Sequence, residues 1–388
     1  MVNAIAFAQP FFVYVKPDAS SIPLSHQDMY VWWLIETFFK DKFITAFTLL
    51  FGISVFLVGR DSGPDADFSQ TPLFRRLTWL AVFGLLHGAL IWHGDILLQY
   101  AVTALVFFWR WRRTDARLLL VLGLALFVIG AAVQLVPMVW ASYHPSDLSN
   151  QGDLTAVVHA MRGSFWDSLF ENATVWFQGE APEIINYLPT TLGLMMMGLA
   201  LFHSGLLRGT SALSTYVWWL VTAALSLIVI GWQAWQAMEA QFPFPQILGI
   251  YNIANTLLCL PVALGYASAL ILMGRTRLGR WLLYPLACTG RMAFTNYLCQ
   301  SFIMTSIFYG GREIYPGLVG HFGDRNHAAL VPLVVGIGLA QLITSTIWMT
   351  LFRYGPLEWG WRCLTYQRWV SLLKNRQSLG SLGQGPSH

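Results

Sequence analysis

Residues 75–100 read RRLTWLAVFGLLHGALIWHGDILLQY, a run apolar enough for hydrocarbon that nevertheless holds two histidines and an aspartate. His87 lies twelve residues beyond Arg75, about 18 Å along a helix and so near the middle of a bilayer. An ionisable side chain at that depth costs a few kcal/mol unless it faces a cavity or a partner. An unperturbed imidazole, with a pKa near 6.5, can take a proton from a hydroxyl around neutrality. Gly84 and Gly88 flank it and let a neighbouring helix or a ligand come close. These features make His87 the candidate general base or transient group carrier, the alternative being a neutral imidazole that bridges helices. Asp95, nineteen residues beyond Arg76, falls about 28 Å along, close to the opposite surface. There it can hold a histidine's tautomer, pair with an arginine of another span, or cap a helix in the HGD turn. His93 is six residues from His87, about 240° around a helix, so the two do not share a face.

A second polar set is TGRMAFTNYLCQS, residues 289–301. Thr289 is a candidate N-cap that would begin a helix with its positive dipole end beside Arg291, a place where phosphate binds well. Arg275, Arg277 and Arg280 lie just before it, with ordinary membrane anchoring as their alternative role. Asn296, Tyr297 and Gln300 are polar within an apolar run and either line a cavity or link helices. Near the C-terminus, FRYGPLEWGWRCLTYQR offers Glu358 and Arg362 as an i,i+4 pair if Pro356 starts a helix. The chain has no Gly-rich phosphate loop, no HExxH and no CxxC, and its four cysteines have no ligand spacing, so no metal is expected.

The elements that must position these groups follow from composition. Of 388 residues, 56% are hydrophobic and 11% charged, against about a quarter charged in soluble domains. The expected fold is an all-α polytopic transmembrane helical bundle, forming one membrane domain over 1–376 with a disordered tail at 377–388. Nine spans are expected near 42–60, 74–94, 95–109, 117–138, 184–207, 213–237, 248–273, 289–310 and 328–353. Segments 28–41 and 275–288 read as amphipathic interfacial helices, and loop 139–183 is long enough to fold over one face. Eighteen tryptophans suit membrane interfaces, making lipids the surrounding partner. Placing the loops after Gly59, Trp109, Leu207 and Met273 in the cytoplasm, with the C-terminus, puts sixteen Lys/Arg there and six opposite. The net charge of +4 is then anchoring, with no case for nucleic acid. That parity puts Met1 outside, and MVNAIAFAQP reads as the end of an earlier span, so a tenth helix is expected upstream.

LLFGISVFL, the RR-x10-H-x5-HGDIL pattern, TGRMAFTNYLCQS and FRYGPLEWGWRCLTY occur in that order and together cover nearly the whole chain. In this they resemble the YeiB-like family of bacterial inner-membrane proteins, a domain of unknown function. Members usually begin with a helix carrying an LDxLRG-type motif followed by VN-x-x-AF. Here only the second part is present, as Val2-Asn3 and Ala6-Phe7. The resemblance implies a distant kinship with transmembrane acyltransferases, which carry acyl groups from cytoplasmic coenzyme A to envelope acceptors. On that reading His87 is the base, Asp95 its orienting group, and Arg291 with Arg275, Arg277 and Arg280 holds the acyl-CoA phosphates. Asn296, Tyr297, Gln300 and His93 line the path to a glycan or lipid hydroxyl or amine. The alternatives are a solute transporter using His87, Asp95 and Glu183, or a scaffold in which these groups only join helices.

Overall fold

The computed structural model describes residues 2–59, 68–111, 113–144, 154–312 and 321–374, and the expected tail at 377–388 lies outside them. All regular elements among the described residues are helices, joined by one isolated bridge between Phe352 and Leu373. Two short helices, α1 (Ala4–Ala8) and α2 (Phe11–Val15), lead to α3 (His26–Phe38) and α4 (Lys42–Gly59). Then come α5 (Pro72–Leu90) and α6 (Leu97–Thr103), the latter continuing through π turns at Ala104–Phe108 to Trp111. Helix α7 (Ala116–Tyr143) precedes α8 (Leu154–Arg162) and α9 (Phe165–Val175), which runs through a π segment into α10 (Ala181–His203). The chain continues with α11 (Leu213–Glu239), a π segment Pro245–Tyr251 and α12 (Asn252–Arg275). It closes with α13 (Arg277–Arg291), α14 (Ala293–Phe308), α15 (His327–Leu351) and α16 (Pro356–Tyr366).

Among the described residues, seven stretches are long and apolar enough to cross a membrane: His26–Gly59, Pro72–Leu90, Ala116–Tyr143, Phe165–His203, Leu213–Glu239, Pro245–Arg275 and His327–Leu351. The remaining two expected spans, carried by α6 and α14, are shorter apolar helices inside the bundle. Segment 28–41 is more than an interfacial strip. Its helix α3 buries Trp32, Glu36 and Thr37 against α11 and α15, and Asp41 with φ of 64° turns the chain into α4. Within 139–183 the described residues form α8 and α9, and the long apolar stretch expected from near 184 begins at Phe165, with α9. Helix α13 is the separate amphipathic helix expected from 275–288, with Leu278, Trp281 and Leu286 exposed and Cys288 buried.

Starts are set by local chemistry. Ser25 and Ser164 form capping boxes with Asp28 and Asp167, and Thr71 caps α5 ahead of Pro72 at N1. At the centre, α10 packs against α7 and α4. A Cβ on Gly52 would overlap the Met195 backbone, and one on Gly198 would overlap that of Leu49. Without a hydrophobic force between helices in lipid, such close backbone approach is what holds them together. Gly52→Ala or Gly198→Ala should therefore lower the melting temperature in detergent, since about 1–3 kcal/mol of overpacking outweighs about 1 kcal/mol of helix propensity gained. Unchanged melting of both variants would argue against this crossing.

Candidate site around His87 and Asp95

His87 lies in the last turn of α5, which ends at Leu90. It is buried all the same, with 1% of its surface exposed. Its Nδ1 lies 2.9 Å from Asp95 Oδ1, and Asp95 Oδ2 accepts from the Leu98 amide at 2.9 Å, in the first turn of α6. Two of the roles open to Asp95 are thus filled together, one by each oxygen. A carboxylate only accepts, so Nδ1 is the donor in this contact, and in the neutral imidazole Nε2 then carries the lone pair. Nε2 is buried and has no hydrogen-bond partner among the described residues.

Glycines make this approach possible. A Cβ at Gly84 would strike the Leu98 amide and crowd the Asp95 carboxylate, and one at Gly88 would overlap the Trp176 indole. Trp176 opens the π segment between α9 and α10, a kind of bulge often found at functional sites. Tyr297 from α14 brings its ring centroid to 4.9 Å from that of His87, and Trp92 comes to 6.4 Å. Behind Trp92, Phe7 of α1 stacks at 3.9 Å.

The end of α5 is tied down by residues the sequence reading did not single out. Asn172 of α9 donates to the carbonyls of Gly88 and Ala89 and accepts from the His93 amide. Arg312 donates to those of Leu90 and Ile91, putting a cation at the negative end of the helix dipole. Together they satisfy carbonyls that a helix end leaves without intrahelical partners. His93, in the turn beyond, is buried beside Phe11, and burial pushes its pKa down to about 4, which keeps it neutral.

The other candidates divide. Tyr297 joins the dyad, whereas Asn296 and Gln300 are bound to α15. Asn296 donates to Ser345 at 3.0 Å and its carbonyl accepts from Gln341, which also pairs with Gln300. Thr289 is no N-cap: it lies inside α13 and donates to the Pro285 carbonyl. Helix α14 starts at Ala293, and its first amides are taken by Glu358, whose Oε1 accepts from Phe294 at 2.8 Å and Thr295 at 3.0 Å. Pro356 does begin a helix, but Glu358 makes this contact and Arg362 sits over the Tyr354 ring, so they do not pair as expected. Arg275 donates to the carbonyls of Gly209 and Ser211, and Arg291 to that of Arg353. Arg277 and Arg280 are exposed on α13, and Glu183 is bonded to Asn186 on the α10 surface. No group of three or more His, Cys, Asp or Glu among the described residues could hold a metal ion.

The bridging carboxylate makes a testable demand. Asp95→Ala removes both acceptors at once and leaves the Leu98 amide and a buried imidazole nitrogen unsatisfied, which should cost about 1–3 kcal/mol, read as a lower melting temperature in detergent. Melting equal to wild type would mean that the carboxylate does not bridge.

A family model described as "Protein of unknown function (DUF418)" matches residues 201–368. The Escherichia coli K12 protein named "Uncharacterized protein YeiB" is 31% identical, over 94% of this chain and 92% of its own length. "Uncharacterized protein YxaH" of Bacillus subtilis 168 is 28% identical over 88% of this chain and 83% of its own. No solved structure matches the chain. End-to-end similarity to the first relative and the family-model match beyond residue 200 together place this chain in the YeiB-like DUF418 family of membrane proteins.

Proposed function

We propose that this protein is a membrane-embedded acyltransferase of the bacterial inner membrane. It takes an acyl group from cytoplasmic acyl-CoA and passes it to a hydroxyl or amine of an envelope glycan or lipid. The observation that carries this reading is the buried His87–Asp95 pair with Nε2 unpartnered. An imidazole whose Nδ1 proton is held by a carboxylate is oriented to accept a proton at Nε2, the requirement for a general base acting on an acceptor hydroxyl. Asp95 acts through His87 as a positioning residue.

Orientation follows the basic residues: with Arg75, Arg208, Arg275 and the C-terminal helix in the cytoplasm, His87 lies towards the periplasmic side of α5. The donor phosphates meet the exposed guanidinium groups of Arg277 and Arg280 on α13. They do not use the start of α14, where Glu358 already holds the amides.

The test is turnover by the purified full-length chain, given labelled acetyl-, succinyl- or longer acyl-CoA together with a membrane or glycan extract. Acyl transfer should fall by about 10²–10⁴ in His87→Ala, the span attributed to a positioned base. Thioester consumption equal in wild type and His87→Ala for every donor would sink the assignment.

A further inference from the structure

Nine buried side-chain polar atoms have no hydrogen-bond partner among the described residues, and three of them belong to rings that pack together: His87 Nε2, Trp92 Nε1 and Tyr297 Oη, whose oxygen the Ile96 amide approaches, with the His87 ring centroid 4.9 Å from that of Tyr297 and 6.4 Å from that of Trp92. Each such atom costs about 1–3 kcal/mol unless something satisfies it. His87 and Trp92 are 1% and 4% exposed, which excludes bulk solvent as the partner. Their polarities are complementary. With Nδ1 protonated toward Asp95, His87 Nε2 can only accept; the Trp92 indole N–H can only donate; the Tyr297 phenol donates. Two donors and one acceptor on these packed rings match a reacting pair that offers one oxygen acceptor and one hydroxyl proton.

We infer that Tyr297 and Trp92 form an oxyanion subsite for the acyl carbonyl, opposite the base at His87. This deepens the acyl-transfer reading above and rests on it. Three different helical regions supply the groups: the last turn of α5, the turn after it, and α14. Phe7 stacks on Trp92 and fixes the indole plane. In the step, the acceptor O–H gives its proton to His87 Nε2 while an oxygen lone pair forms a C–O bond to the thioester carbon. The C=O π pair moves onto oxygen, where the Tyr297 O–H and Trp92 N–H receive it. Collapse re-forms C=O and breaks C–S, and the thiolate takes the proton from the imidazolium and leaves as the free thiol. Preorganised donors of this kind in a dry site are worth more than in water, because they need no reorganisation as charge develops.

Tyr297→Phe keeps its ring and removes only the hydroxyl, whereas Trp92→Phe removes the N–H together with part of the indole on which Phe7 stacks. In the full-length protein each should reduce kcat by about a hundredfold with little change in KM for acyl-CoA, Tyr297→Phe at an unchanged melting temperature and Trp92→Phe at a lower one. A second measurement needs no turnover. The probe is an octanoyl-CoA analogue with a methylene in place of the thioester sulfur and 13C at the ketone carbonyl. Its infrared carbonyl stretch should fall on binding wild type, and fall less with each variant. Rates within twofold of wild type in both variants, beside a dead His87→Ala, would overturn the subsite and leave the base standing. Full activity in His87→Ala would overturn the base instead. A carbonyl stretch equal in wild type and both variants overturns the subsite whether or not any donor is turned over.

Discussion

The site depends on one carboxylate serving two helices. Asp95 links the last turn of α5 to the first turn of α6, through His87 Nδ1 on one oxygen and the Leu98 amide on the other. Burying a charge in this way is expensive unless nearby dipoles compensate. The compensation here follows helix ends: the Asp95 anion sits at the amino end of α6, and the Arg312 cation sits at the carboxyl end of α5. Among the described residues, the imidazole is the only side chain to which the Asp95 carboxylate is hydrogen-bonded. The geometry exists because position 84 has no Cβ, since a methyl group there would push the Leu98 amide away and open the bridge.

Parts of this were legible in the sequence, for identifiable reasons. Histidine between two glycines in an apolar run is visible because lipid makes such a residue costly and glycine marks close approach. The sequence left Asp95 between tautomer control and capping because it cannot show that a carboxylate's two oxygens will be split between them. That His87 lies in the last turn of α5 was not legible, because spacing from Arg75 says nothing about where the helix stops. Asn172 and Arg312 could not be found at all: they lie 83 or 84 and 221 or 222 residues from the carbonyls they satisfy, and neither carries a local pattern. The contacts of α14 with α15 did leave a trace. Asn296 and Gln300 are four apart, and so are their partners Gln341 and Ser345, a matched pair of polar stripes across two apolar helices.

The start of α14 shows where reading by motif fails. Threonine followed by an arginine looks like a capped helix N-terminus open to phosphate. In the fold, Thr289 turns back to Pro285, a residue whose ring already interrupts the local ladder, and the helix begins later. The positive end thus created does hold an anion, but the anion is Glu358 of the chain itself. A helix start does lie here, but four residues beyond Thr289 and with its first amides held by Glu358 of the same chain, which needs the fold of α16 to be seen.

That intramolecular contact bears on the dyad. Through α16, Trp361 donates to the Arg76 carbonyl and stacks beneath its guanidinium, Arg75 reaches the Thr365 carbonyl, and Glu358 clamps the start of α14. One eleven-residue helix therefore fixes the first turns of both helices that carry His87 and Tyr297. At the far end, Asn172 and Arg312 fix the last turn of α5. Two helices held at their ends cannot slide past each other without breaking several buried hydrogen bonds at once. The distance between the imidazole and the phenol is set by these clamps, because the two side chains do not bond to each other. Such rigidity around unsatisfied polar atoms is costly as pure architecture and is what a preorganised reaction site requires.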